Sequence, residues 1–194
     1  MNTRFRFLLA AAPLALAAAA LLVTRASAGE GDEGDAATLK ALSTTKHSLA
    51  DGIAQAAKSP GVAISAKFED EGKGLSLSVY VAGKGLGTNA DDNVLEELSG
   101  SPTAADWKPE TEVFKDVEHV SRSAEQLTLM RLTTLTLADA ISKAEKSMKG
   151  TVFSVTPMVR GKKAVFQVRV AADGKATDVL LDLVTGAPVM EANK

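Results

Sequence analysis

Two histidines, His47 and His119, are the only imidazoles in the chain, and no cysteine stands beside them to complete a thiolate or mixed zinc site. Zinc needs several nitrogen, sulfur or oxygen ligands held together, and neither histidine belongs to a His-Glu-x-x-His pattern. Both read as solvated residues, His47 just ahead of a helix start and His119 on a charged helical face. Nucleophilic catalysis has no better footing. No Gly-x-Ser-x-Gly elbow is present, and neither histidine has a context that suggests a base. Asp182, Thr185 and Gly186 have the composition of an aspartic-peptidase Asp-Thr-Gly, but two residues interrupt them. A strand entering a tight turn explains the trio without chemistry. The glycine takes a positive φ, and the two polar side chains bond the turn backbone.

Gly83-Lys84-Gly85-Leu86-Gly87 has the glycines that a phosphate-cradling loop uses to bring its amides close to an anion, but Asp91 and Asp92 follow and would repel one. Asn89, Asp91 and Asn93 are spaced like the start of a calcium loop; however, Val94 stands where that loop requires glycine, and Gly100 stands where it requires glutamate. Both segments read as one long turn. No catalytic, metal-binding or cofactor-binding residue is assigned, and no cofactor is expected.

The remaining patterned residues position elements. Ser48-Leu49-Ala50-Asp51-Gly52-Ile53 matches Thr136-Leu137-Ala138-Asp139-Ala140-Ile141. Each copy is a capping box, in which Ser48 or Thr136 accepts from the N–H of Asp51 or Asp139 and the acid reaches back to the cap and complements the helix dipole. Leu137, Ile141, Ala144 and Met148 then recur at helical spacing until Gly150. Leu49, Ile53 and Ala56 or Ala57 do the same until Ser59-Pro60-Gly61.

After each helix the period changes to alternation. Val62, Ile64, Ala66 and Phe68 are expected on one face, Glu69 to Gly74 turns, and Leu75, Leu77, Val79 and Val81 return. In the second copy Phe153, Val155 and Val159 alternate and Arg160-Gly161-Lys162 turns. Ala164, Phe166, Val168 and Val170 return, and Asp173-Gly174 leads into Val179, Leu181 and Leu183. Leu95 to Gly100 closes the first copy where Leu181 to Gly186 closes the second. Between the copies, Val113, Val117, Val120, Ala124 and Leu127 fall at heptad-like spacing, which predicts a connecting helix. The expected fold class is α+β. Two tandem modules, 39–106 and 132–194, each pack one helix on a small antiparallel sheet, and a helical connector at 107–131 joins them.

Residues 1–28 have the three parts of a secretory signal: Arg4 and Arg6, an uncharged run from Phe7 to Val23, and the small-x-small site Ala26-Ser27-Ala28. The run has 17 residues and contains Pro13, so it reads as a removed signal that leaves no stable membrane anchor. With no cysteine, lipidation at the cleavage point and disulfides are both excluded. Loss of Arg4, Arg6 and Arg25 lowers the basic count from 22 to 19 against 24 acids, a net charge of −5. That sign disfavours nucleic acid and anionic lipid. Gly29 to Asp35 has nothing to bury, so 29–38 is expected to be a flexible acidic lead-in. A periplasmic or secreted location follows.

The second copy resembles the PepSY domain, named after propeptides of secreted metallopeptidases. The resemblance runs from about Leu132 to Met190 and rests on the Ala-rich helix ending at Gly150, the strand Phe166-Gln167-Val168-Arg169-Val170, the Asp173-Gly174 turn and the closing Asp182-x-x-Thr185-Gly186. The first copy departs from it in having Glu96 for the closing Asp, Ser99 for Thr and the longer Gly83 to Asn93 segment. The resemblance implies a non-catalytic exported module that binds or restrains other proteins, with a secreted peptidase or another envelope protein as partner. Contact is expected at a sheet edge nearest the Ala164 to Val170 strand, with Gln167 and Arg169 facing outward. A small-ligand or ion carrier and a structural envelope protein are the alternatives.

Overall fold

The computed structural model describes residues 32–57, 61–70, 72 and 74–190. The expected signal peptide 1–28, the first residues of the lead-in and the Ser59-Pro60 helix stop lie outside them. Chain order is α1 (Asp32–Ala41), a 3₁₀ turn (Leu42–Thr44), α2 (Leu49–Ala56), β1 (Val62–Asp70), β2 (Leu75–Ala82), β3 (Leu95–Gly100), β4 (Glu110–Val113), α3 (Val117–Met130), α4 (Leu137–Ser147), β5 (Thr151–Arg160), β6 (Lys163–Ala172) and β7 (Lys175–Asp182). The seven strands form one antiparallel sheet in the order β4-β3-β2-β1-β5-β6-β7. The chain is thus mixed α+β. β1 and β5 pair through Ala66 opposite Val155 and Lys67 opposite Ser154, which makes the sheet continuous between its halves. One hydrophobic core likewise runs through both.

Local chemistry sets the helix starts. Ser48 Oγ accepts from the Asp51 N–H at 3.1 Å while Asp51 Oδ2 accepts from the Ser48 N–H at 2.8 Å. Thr136 and Asp139 reproduce the arrangement at 3.1 and 2.9 Å. Each helix then buries one stripe: Leu49, Gly52, Ile53 and Ala56 in α2, and Leu137, Ala140, Ile141 and Ala144 in α4. Gly52 and Ala140 occupy equivalent places and are small for a packing reason. A Cβ on Gly52 would lie 2.8 Å from Leu77 Cδ2, so α2 is pressed directly onto the sheet.

Cross-strand pairs share a face, and this sorts the sheet into two. Ala66, Phe68, Leu77, Val79, Val155, Phe166, Val168 and Val170 make the buried face under α2 and α4, which touch each other. Ser65, Lys67, Glu69, Ser78, Tyr80, Glu97, Ser99, Ser154, Gln167, Arg169 and Asp178 make the opposite, polar face. Both halves carry a bulge near the start of the first strand, between Ala63 and Ser65 and between Val152 and Ser154. Strict alternation overlooks such an extra residue. Ala63 therefore stands opposite Val81 and Val152 opposite Val170, and the single faces expected for Val62-Ile64-Ala66 and for Phe153-Val155-Val159 are broken.

Three further expectations are corrected. The lead-in is helical from Asp32, because Asp35 and Thr38 have partners on the sheet: Arg169 and the Asp70 N–H. The connector is helical only over α3; β4 precedes it and extends the sheet beside β3, with Glu110 opposite Ser99 and Val113 opposite Glu96. Asp116 starts α3 by accepting from the His119 N–H, so Val113 lies outside the helix and Val117 remains exposed. Of the expected face, Leu127 is buried and Val120 and Ala124 are half-buried against the core, and Ser123, Gln126, Leu129 and Met130 complete the buried side of the helix. Finally, β6 lies between β5 and β7, so the Ala164 to Val170 strand is interior; the outermost strands are β4 and β7, and the outer side of β7 is partly covered by the returning chain, with Leu181 bridged to Pro188.

Candidate functional site

On the polar face, the small side chains Ser76, Ser78 and Ser99 leave a trough over β1–β3. The end of α1 and the 3₁₀ turn wall it on one side through Ala41 and Thr44, and α3 walls it on the other through His119 and Arg122. The groove encloses about 1030 Å³. Lys67 and Glu69 form an ion pair on its floor, and Ser78 Oγ donates to Glu69 Oε1 at 3.2 Å. Lys67 Nζ also lies 5.6 Å from the centre of the Tyr80 ring. Burial disfavours the Lys67 charge, but Tyr80 and Glu69 outweigh it and hold the ammonium's pKa above the ordinary lysine range. Burial raises the Tyr80 phenol, with Glu97 adding to the effect against the opposing pull of Lys67.

An aromatic column fixes the α3 wall. Tyr80 and Phe114 ring centres are 5.8 Å apart, and Phe114 stacks on His119 at 4.9 Å. His119 Nδ1 sits 2.9 Å from both carboxylate oxygens of Asp116, and Arg122 donates to Glu118 at 2.8 Å. Most charged groups of the groove are thus already paired. Such an arrangement offers directional donors and acceptors to a polar ligand or peptide.

The second half of the polar face is covered differently. Arg169 grips Asp35 of α1 with both terminal nitrogens, one at 2.8 Å, and its Nε lies 3.4 Å from Asp178. Gln167 donates to Asp178 at 2.6 Å, Arg160 donates to the same carboxylate at 3.0 Å, and the Arg169 guanidinium lies 5.0 Å from the Phe153 ring centre. Gln167 and Arg169 do face away from the core, but both are half-buried on an interior strand, and Arg169 is held against α1 through Asp35.

Asp182 Oδ1 accepts from the N–H groups of Val184 and Thr185 and from the Thr185 hydroxyl at 3.1, 2.8 and 2.9 Å. Those donors, the Thr185 N–H foremost, hold its pKa below the usual carboxylate range. Gly186 takes φ 66°, and its N–H closes the turn on Asp182 O at 2.8 Å. Asn93 closes the long β2–β3 turn, with Oδ1 accepting from Lys84 and Val94 and Nδ2 donating to Gly85 O. His47 bonds Ala104 O and is not brought to His119. Sequence reasoning missed the groove because it followed the apolar face. The signal was the intervening polar series, Lys67-x-Glu69 and Ser76-x-Ser78-x-Tyr80.

With this geometry in view, comparison with known proteins adds one family. Residues 134–189 match the family model of the peptidase propeptide and YPEB domain, PepSY. The PepSY match takes in α4, the β5–β7 meander and the Asp182–Gly186 turn. None of the curated proteins matches the chain. Among solved structures, a Clostridium difficile 630 protein described as a "putative lipoprotein" is 17% identical, with a TM-score of 0.40, covering 75% of this chain and 92% of that one. Among the described residues, no helix is long and apolar enough to cross a membrane.

Proposed function

We propose that this protein is an exported, non-catalytic binding module that restrains a secreted peptidase or another envelope protein. The PepSY match at 134–189 carries this reading. The basic, apolar and small-x-small order of residues 1–28 supports export, with a mature chain beginning at Gly29. Recurrence of the capping box and of the bulge supports a further reading: 39–106 and 132–194 are related PepSY-like modules joined edge to edge at β1 and β5, with 107–131 between them. The partner is held on the polar sheet face, where a half-buried peptide finds backbone-near hydroxyls and paired charges.

The test is titration of the chain into secreted peptidases from the same cells. Residual activity should fall to a plateau at one equivalent, with the added chain left intact. The groove of about 1030 Å³ favours a second reading, a carrier of a small polar ligand. That reading replaces the first if no peptidase is bound or slowed at micromolar concentration while a small molecule or ion raises the melting temperature.

A further inference from the structure

Helix α1 is fastened unlike the other helices. Helices α2 and α4 each bury an apolar stripe, whereas the described α1 side chains bury only Thr38, whose hydroxyl accepts from the Asp70 N–H at 3.0 Å. Ala36 and Ala37 are exposed, and Leu39 and Ala41 are half-buried. The chain is anchored just beyond the helix, at the buried Leu42. Toward its start, α1 is tied down by the Asp35–Arg169 pair. The strap therefore has an apolar anchor at one end and a polar latch near the other.

The latch has the geometry of carboxylate recognition. Both terminal nitrogens of Arg169 point at the two oxygens of one carboxylate, a bidentate fork that lysine cannot reproduce. The guanidinium is positioned beforehand, with the Phe153 ring at 5.0 Å and Asp178 beside Nε at 3.4 Å. Asp178 is in turn held by Gln167 and Arg160. Remove α1, and a half-buried, oriented fork is left facing the open sheet without its carboxylate. Asp35, within the acidic run Asp32-Glu33-Gly34-Asp35, supplies that group in cis.

We propose that α1 occupies, in cis, a docking site for an acidic peptide segment, and that a partner's segment displaces α1 to pair its own carboxylate with Arg169. The idea rests on the reading of the protein as a protein-binding module, and it names that partner's chemistry and the contact that restrains access.

The experiment uses the full chain and a labelled synthetic peptide of residues 32–44. A cis competitor lowers apparent affinity by the fraction of molecules in which it is closed, so Asp35→Asn should bind the peptide at least about tenfold more tightly than the unaltered chain. Adding Arg169→Gln or Arg169→Lys to that variant should remove the gain, as should Asp35→Asn in the peptide. Equal binding by the unaltered chain and Asp35→Asn, or a gain that survives loss of Arg169, overturns the proposal. Hydrogen exchange on the unaltered chain tests the strap without any substitution: α1 amides should exchange at least about tenfold faster than those of α4, and saturating peptide should speed them further. Protection of α1 equal to that of α4 also overturns it. Neither outcome depends on whether a peptidase is the partner, so failure of the inhibition assay and failure of this proposal are read separately.

Discussion

The two faces of this sheet come from the same strands, often from consecutive residues, but they are covered by opposite means. Phe166 is fully buried under α4's face, while its neighbour Gln167 turns to the other side and spends its amide on Asp178. Helices α2 and α4 are seated by leucine, isoleucine and alanine on an apolar floor. Helices α1 and α3 leave between them a groove floored by serines, an ion pair and a tyrosine. Apolar burial is non-directional and continuous, so one face can hold the fold together across both halves. Polar contacts are directional and close to break-even against water, so the other face can exchange them for a partner's without unfolding the protein.

The largest effect should come from cutting into the first face alone. Phe166→Ala should cost about 3–5 kcal/mol of unfolding free energy, and Gln167→Ala about 1–2 kcal/mol, in urea titrations. Similar losses at these neighbouring positions would break the contrast between faces.

A smaller loss, about 1 kcal/mol each, is expected for Ser48→Ala and Thr136→Ala, because either change removes the hydroxyl half of a capping box. Continuity of the sheet through β1 and β5 predicts that both variants unfold in a single transition by fluorescence and circular dichroism. Two separated transitions in either variant would show that the halves melt independently.

The caps also set the acid response. Hydrogen bonds from Ser48 lower the Asp51 pKa, those from Thr136 lower Asp139, and those from His119 lower Asp116. For a carboxylate with a depressed folded pKa, the unfolded chain binds the proton first. The stability these groups contribute is therefore fully present above their unfolded pKa, about 4, and is lost as pH falls through the lower folded values. The melting temperature should hold between neutrality and about pH 5 and fall below about pH 4. Asp51→Asn together with Asp139→Asn should flatten that fall, and an unchanged slope would detach the caps from acid stability.

Legibility followed the range of the interaction. The capping boxes lie within four residues, and the hairpins announce themselves through alternation and their Gly161 and Gly174 turns, so these elements were readable from local pattern. The bulges at Ala63/Ser65 and Val152/Ser154 were not, since a single extra residue leaves composition unchanged while it shifts which side chains face the core. Strand β4 was hidden by a heptad pattern that began too early, at Val113. Asp35 is separated from Arg169 by 134 positions, and nothing local in an acidic glycine-rich stretch marks one carboxylate as a partner. The groove was hidden for a related reason: Lys67, Glu69, Ser78 and Tyr80 belong together only once β1 and β2 have paired.

The smallest expected change in stability belongs to that groove, and it sharpens the comparison most. Lys67 and Glu69 stand two residues apart on β1, paired and about a quarter to a third exposed. Ion pairs at such positions typically return about 0–1 kcal/mol, because desolvation and side-chain ordering offset the attraction. A double-mutant cycle with Lys67→Met and Glu69→Gln should therefore give a coupling energy below about 1 kcal/mol. The same substitutions remove a directed ammonium and a directed carboxylate from the floor where a polar ligand or peptide would lie. Each should weaken capture of a bound peptidase, or of a small polar ligand, by about tenfold or more while the urea midpoint scarcely moves. A large coupling in stability with no effect on binding would mean that the pair serves the fold, and that the polar face is only a second structural surface.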